Sequence, residues 1–409
     1  MRPSIFASRT GRSLLFGSLY FVQGAILAYV YVFNSLYLRA FGASAQQLSL
    51  LTGLLVIPFV LKIGIGIHSD RVNLLGRGHR LPYIMLGLAL MTVGSLSVIG
   101  IHPVERYPLF VVIAFLIAVG LAVFDTAVDG MAVDVTPQGE QGTVQGVMAI
   151  GRSLGFVSLA LAYGRLIEWL GWDVVFLCLA LFSALPLTFL WRLHEPAERP
   201  ASRAFDWQAL RSLARPEVRH LLLYAIIHAF VLYGANNLIP LYLNEELGQS
   251  LGQVGATTML ASAGMVVGGL LATYVVRRYS VWVLGRGVAG AAFVVLLAIG
   301  LPAVRDHTVV ALIIWGICFA AADLVYVTMA MMRADPRLGA GTFAVYMAWS
   351  NIFVGIGAAT VQRLIDTVDY RWQFWGLAAL SLLLYPLLTG VQRDEQMVAA
   401  PPDPLAVES

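Results

Sequence analysis

Long apolar runs alternate with short polar connections along the whole chain. The runs lie near 14–38, 48–66, 82–101, 109–133, 142–164, 173–193, 220–243, 252–276, 281–299, 308–332, 341–362 and 372–389. Most are about 20 residues long, the length an α-helix needs to cross the roughly 30 Å hydrocarbon core of a bilayer. The pattern predicts an all-α integral membrane protein with twelve transmembrane helices. The longest polar interruption before the tail runs from His194 to Arg219. It contains Pro196, Pro200, Pro216 and, counting Arg192, six arginines. It divides the runs into two sets of six. The expected organisation is an N-terminal bundle over 1–193, a linker over 194–219, a C-terminal bundle over 220–389 and a disordered tail over 390–409. Within the linker, Asp206 is placed to cap a short surface helix with Leu210 and Leu213 turned to the bilayer. The first run, after Arg2, Arg9 and Arg12, is too long for the apolar core of a cleaved leader and reads as a retained helix.

Composition sharpens this reading. Hydrophobic residues make up 59% of the chain and charged residues 12%, against about half and a quarter in a soluble domain, so a soluble enzyme is excluded. The net charge of +3 is small, but the placement of the 26 basic residues is informative. With the N-terminus inside, 18 of them fall on the inner side and six on the outer. That bias predicts a multi-pass protein of a bacterial inner membrane with both termini cytoplasmic. Cys178 and Cys318 lie in apolar runs, suggesting neither a disulfide nor a cysteine-based metal site. No catalytic constellation, cofactor site or nucleic-acid-binding feature is found. The string Gly285-Arg286-Gly287-Val288-Ala289-Gly290 follows a basic loop and not a strand, so it reads as helix packing and not as a dinucleotide site.

An internal repeat relates the two halves at an offset of 198 or 199 residues. Asp125 meets Asp323, Pro137 meets Pro336, and Gly142-Thr143 meets Gly341-Thr342. Arg165-Leu166-Ile167-Glu168 meets Arg363-Leu364-Ile365-Asp366. Both copies share one membrane orientation, so the repeat is parallel. Between the second and third runs stands Gly66-Ile67-His68-Ser69-Asp70-Arg71, followed by Arg77 and Arg80. With the repeat, this loop resembles the signature of the major facilitator superfamily. Pro58 to Lys62 with Ser69-Asp70 and Arg80-Leu81-Pro82-Tyr83 looks like the branch of folate-biopterin transporters and muropeptide permeases. Asp125-Thr126-Ala127-Val128-Asp129-Gly130 is similar to muropeptide permeases and acetyl-coenzyme A transporters. The resemblance implies two pseudo-symmetric six-helix bundles rocking about a midplane cavity.

Ionisable groups within the runs are the candidate site, because an Asp near the membrane centre costs about 2.5–3.5 kcal/mol and needs compensation. Asp125 and Asp129 share a face of the fourth helix, and Gln145 and Arg152 a face of the fifth. Asp125 and Arg152 fall at similar depth and are expected to pair, either as a site answering to protonation or substrate or as a permanent structural pair. Asp323 is expected to lack a cation and, with His228, joins Asp125 and Asp129 as a proton-coupling candidate. Tyr20, Gln23, Tyr31 and Asn34 on the first helix, and Tyr346 and Trp349 on the eleventh, form stripes expected to line the cavity. Asp70, Arg71, Arg80 and Asp134 are expected to form a conformational latch. Together these predict a monomeric, proton-coupled secondary transporter of a polar or amphipathic organic solute, of muropeptide, acyl-coenzyme A, pterin/folate or siderophore type. The alternative is a non-transporting assembly or pigment-handling factor on the same fold.

Overall fold

The computed structural model describes residues 5–195, 208–334 and 340–399. Among these residues are twelve helices long and apolar enough to cross a membrane. They are α1 (Arg9–Ala40), α2 (Ala45–Arg71), α3 (Leu81–Val98), α4 (Tyr107–Val135), α5 (Gln138–Leu170), α6 (Asp173–Leu190), α7 (Pro216–Glu246), α8 (Leu251–Arg278), α9 (Val281–Ile299), α10 (Pro302–Met332), α11 (Gly341–Leu364) and α12 (Tyr370–Gln396). Pro196, Pro200, Asp206 and Pro336 lie outside the described residues.

Local chemistry explains the irregular points of this plan. α2 and α8, the second helix of each half, open with the same capping box: Ser44 with Gln47, and Ser250 with Gln253. Pro58 cannot donate a backbone hydrogen bond, and α2 breaks at Leu61 into segments Ala45–Val60 and Lys62–Arg71. A π-helical turn at Tyr29–Phe33 interrupts α1, and another at Tyr242–Glu246 ends α7. Such turns re-aim side chains and recur at functional sites.

Two sequence expectations change here. The tail expected from 390 begins inside a helix that continues to Ala399. Long-range partners hold it: buried Asp394 receives His220 Nδ1 at 2.8 Å, and Arg333 donates to the Val391 carbonyl at 2.9 Å. In the linker, the helix is a single turn, Gln208–Arg211, and Leu213 packs against the core of the second half instead of facing lipid.

Lipid supplies no hydrophobic drive between helices, so close backbone approach holds them together. α5 packs on α1 through Gly151 and Gly155, where an added Cβ would lie 2.2 Å from the Gly17 carbonyl oxygen and 2.1 Å from that of Phe21. Gly164 and Gly255 likewise bring α5 against α8 of the other half. Gly142 and Gly146, spaced for close packing on another face of α5, have no neighbour within 4 Å of a Cβ built there. The close backbone approach of α5 to the second half thus lies towards its Gly164 end. Gly155→Leu should lower the melting temperature of the purified protein by overpacking, at a cost of about 1–3 kcal/mol or more. Gly142→Leu, measured alongside, should leave it unchanged.

Candidate functional site

The first cluster forms where α1, α2 and α4 meet. Lys62, just past the break in α2, pairs directly with Asp125, and its Nζ stands 3.8 Å from Asp129 Oδ2. The Gln23 amide donates to Asp125 and the Tyr20 hydroxyl to Asp129. Asp125 and Gln23 are buried, so Lys62 offsets the cost of placing a carboxylate at this depth. The pairing of Asp125 with Arg152 expected from sequence does not form. Arg152 is exposed and makes no ion pair or hydrogen bond among the described residues, although its backbone touches α1 at Gly24, beside Gln23. The lysine reaches Asp125 because the proline break re-aims the lower segment of α2 towards α4. Lys62 is the one lysine in the chain and sits in an apolar run, a signal that could have marked it.

In the second half, His228 is fully buried between the rings of Tyr224 and Tyr326, at centroid distances of 5.8 and 5.2 Å. Its Nε2 is 3.7 Å from Asp323 Oδ1, and neither ring nitrogen has a hydrogen bond. Asp323 thus has a neighbour that can become cationic, where the repeat suggested none, because α7 packs beside α10. Tyr346 departs from the expected lining role: it is buried in the core, and its carbonyl accepts from the Tyr326 hydroxyl at 2.6 Å. Trp349 also packs on that core and donates to the Leu222 carbonyl at 3.2 Å. Gln145 is exposed, two turns from Arg152, and joins no cluster.

Tyr31 and Asn34 do reach the gap between the halves. With Ser35, Thr52, Asn237 and Asn351 they line a cavity of about 120 Å³ contributed by both halves.

Charged groups gather at each end of the bundle. At one end, buried Arg80 holds Asp70 at 2.5 Å, Asp134 at 3.0 Å and Ser69 Oγ at 2.8 Å. Glu195 accepts from the backbone N–H groups of Arg80 and Leu81 at 2.9 and 3.2 Å, tying the linker to the start of α3. Arg71, the last residue of α2, is exposed and outside this hub.

The opposite end joins the two halves. Arg39 binds Glu245 at 2.6 Å and Asp366 at 3.0 Å. Tyr370 donates to Glu245 at 2.6 Å, and Gln362 bridges Thr52 and Ser35 at 2.5 and 2.8 Å. Two repeat-related acids do the same work: Asp366 accepts from the Ala45 N–H at the start of α2, and Glu168 from the Gly252 N–H at the start of α8. Each places a carboxylate on the positive end of a helix in the other half.

A family model described as the Major Facilitator Superfamily matches residues 15–358 and again 221–405. The chain belongs to the Major Facilitator Superfamily. It is therefore a transmembrane transporter and not an enzyme. It is 24% identical over 243 residues to the cis,cis-muconate transport protein of Acinetobacter baylyi, covering 55% of this chain and 58% of that one. It is 27% identical over 206 residues to the folate-biopterin transporter of Synechocystis, covering 47% and 41%. The chain thus spans about half the length of the curated relatives it matches. Among solved structures, a bacterial homologue of the human lysosomal transporter Spinster, in an inward-facing and unoccupied conformation, superposes with a TM-score of 0.75 at 17% identity, covering 98% of this chain and all of that one. The nucleoside transporter NupG gives 0.76 at 11% identity, covering 93% and 99%. These likenesses establish the fold.

Two outcomes test the geometry of this Major Facilitator protein. Lys62→Gln leaves Asp125 without its cation and should destabilise by about 1–3 kcal/mol, less than a fully buried pair because Lys62 is 30% exposed. Arg152→Gln should cost little, and adding Asp125→Asn should recover much of the Lys62→Gln loss in thermal melts. Replacing both Glu168 and Asp366 by their amides should lengthen distances between spin labels placed across the Arg39 end. An unchanged distance distribution would show that these carboxylates do not hold the halves together.

Proposed function

We propose that this transporter is a proton-coupled secondary carrier that moves a polar or amphipathic organic solute across the bacterial inner membrane by alternating access. In this reading both termini are cytoplasmic, as the arginine distribution suggests, and the monomer is the working unit. The Arg39 end is then the outer gate and the Arg80 end faces the cytoplasm. The observation that carries the reading is the asymmetry of the gap. The outer end is tied across the halves by Arg39, Asp366 and Glu168, while α5 makes no approach at Gly142 and Gly146. Ionisable groups of both halves lie within the spans: Lys62 with Asp125 and Asp129, and Asp323 with His228.

The coupling follows from the position of Lys62. α2 carries that lysine below its break and is anchored above it to Asp366. Opening the outer gate releases that anchor, lets Lys62 separate from the carboxylates and leaves them to take a proton. Arg80, Asp70 and Asp134 brace the inner ends of α2, α3 and α4 within their own half, so this half moves as a unit. Solutes of the relatives, muconate and folate-biopterin, are the first probes.

In proteoliposomes given an inward pH gradient, the wild type should accumulate the transported probe. Asp125→Asn keeps size and hydrogen bonding but cannot titrate, so uphill accumulation should fall at least about tenfold while exchange between the two faces persists. Accumulation by Asp125→Asn at the wild-type rate, with the same pH dependence, would remove this carboxylate from the coupling.

A further inference from the structure

We propose that Arg152 is the docking cation for a carboxylate group of the solute, so that the transported species is an organic anion. The inference rests on the transport reading above and goes on to name the solute's charge class. A guanidinium deep within the span of a membrane helix is expensive unless it has a partner or a water-lined cavity, and it marks a functional site by default. Arg152 has no ion pair or hydrogen bond among the described residues, because Lys62 occupies Asp125. Its backbone is pinned: the Arg152 carbonyl packs on Gly24, where even a Cβ would come within 2.0 Å. The side chain is exposed at mid-span of α5, next to the face that packs on α1 through Gly151 and Gly155. An unpaired guanidinium at that depth belongs on a water-lined path and not in lipid, and we assign it to the path between the halves.

Charge balance selects the class of ligand. The wall formed by α1, α2, α4 and α5 carries two cations, Lys62 and Arg152, and two carboxylates, Asp125 and Asp129. Across the gap Asp323 stands beside His228, and a proton on either carboxyl of the first wall leaves that wall at +1, with the excess on its one cation lacking a protein partner among the described residues. A carboxylate restores neutrality, and the planar fork of arginine suits it as a bidentate partner. An organic cation would meet the guanidinium in repulsion. Proton and anion then favour each other's binding, since each removes the charge the other leaves uncompensated. The cavity between the halves is uncharged and mostly apolar, with Leu27, Leu55, Phe59 and Val354 beside Asn34 and Asn351, which suits the neutral body of such an acid.

The test uses the purified full-length protein in nanodiscs at fixed pH, so that binding is read without transport. Thermal stabilisation is titrated with acid and amide pairs on one skeleton: benzoate and benzamide, muconate and muconamide, folate and its diamide, with phenyl phosphate and benzylamine as other charge types. Acids should stabilise the wild type while their amides and benzylamine do not. Arg152→Gln should weaken the acid at least about tenfold, and Arg152→Lys should retain part of that loss, with unliganded melting temperatures unchanged in both. Equal effects of acids and amides, stabilisation by phenyl phosphate without the acids, acid binding intact in Arg152→Gln, or no acid acting at all would each overturn the assignment. Acid-selective binding without pH-driven accumulation would uphold Arg152 and sink the coupling. Accumulation of a neutral solute would do the reverse.

Discussion

The interior of the first half depends on one electrostatic constraint: α4 carries two carboxylates within the apolar span, and they must be compensated there. Lys62 does this directly for Asp125 and at 3.8 Å for Asp129, with Gln23 and Tyr20 completing their hydrogen bonds. Three helices are thereby fixed in register around one buried charge network. A pair that must be neutral inside lipid responds strongly to any charge that arrives or leaves. It also leaves Arg152 without an ion pair among the described residues.

The two ends of the bundle show a division of labour written in the repeat. Glu168 and Asp366 occupy matching positions in the two halves, and each receives a helix N-terminus from the opposite half. Backbone N–H groups at a helix start are unsatisfied donors, so a carboxylate there ties the halves together without needing a matched cation. Arg39 adds the charge that binds Glu245 and Asp366 together. At the other end Arg80 works inside one half, where Asp70, Ser69 and Asp134 surround it. Ties that cross the halves hold a conformation; ties within a half hold a rigid body. The second half follows the same plan with different chemistry, His228 and Asp323 standing where the first half has a fully charged pair.

Much was legible in the sequence alone. The apolar runs set twelve spans because lipid allows only helices with satisfied backbones, and the near-200-residue offset exposed two related halves. The signature loop pointed to Arg80 with Asp70 and Asp134, and Asp125 and Asp129 stood out as charges in lipid. Partner choice was different. Depth alone paired Asp125 with Arg152, whereas the break after Pro58 re-aims α2 and delivers Lys62 instead. A helical stripe placed Tyr346 on the cavity, but crossing by α7 and α10 buries it. The tail read as polar and unstructured until His220 and Arg333, far along the chain, received Asp394 and Val391. Periodicity and burial cost act on each segment separately and are therefore carried by the sequence. Which charges meet depends on the relative rotation of helices far apart in the chain, and only tertiary packing decides that.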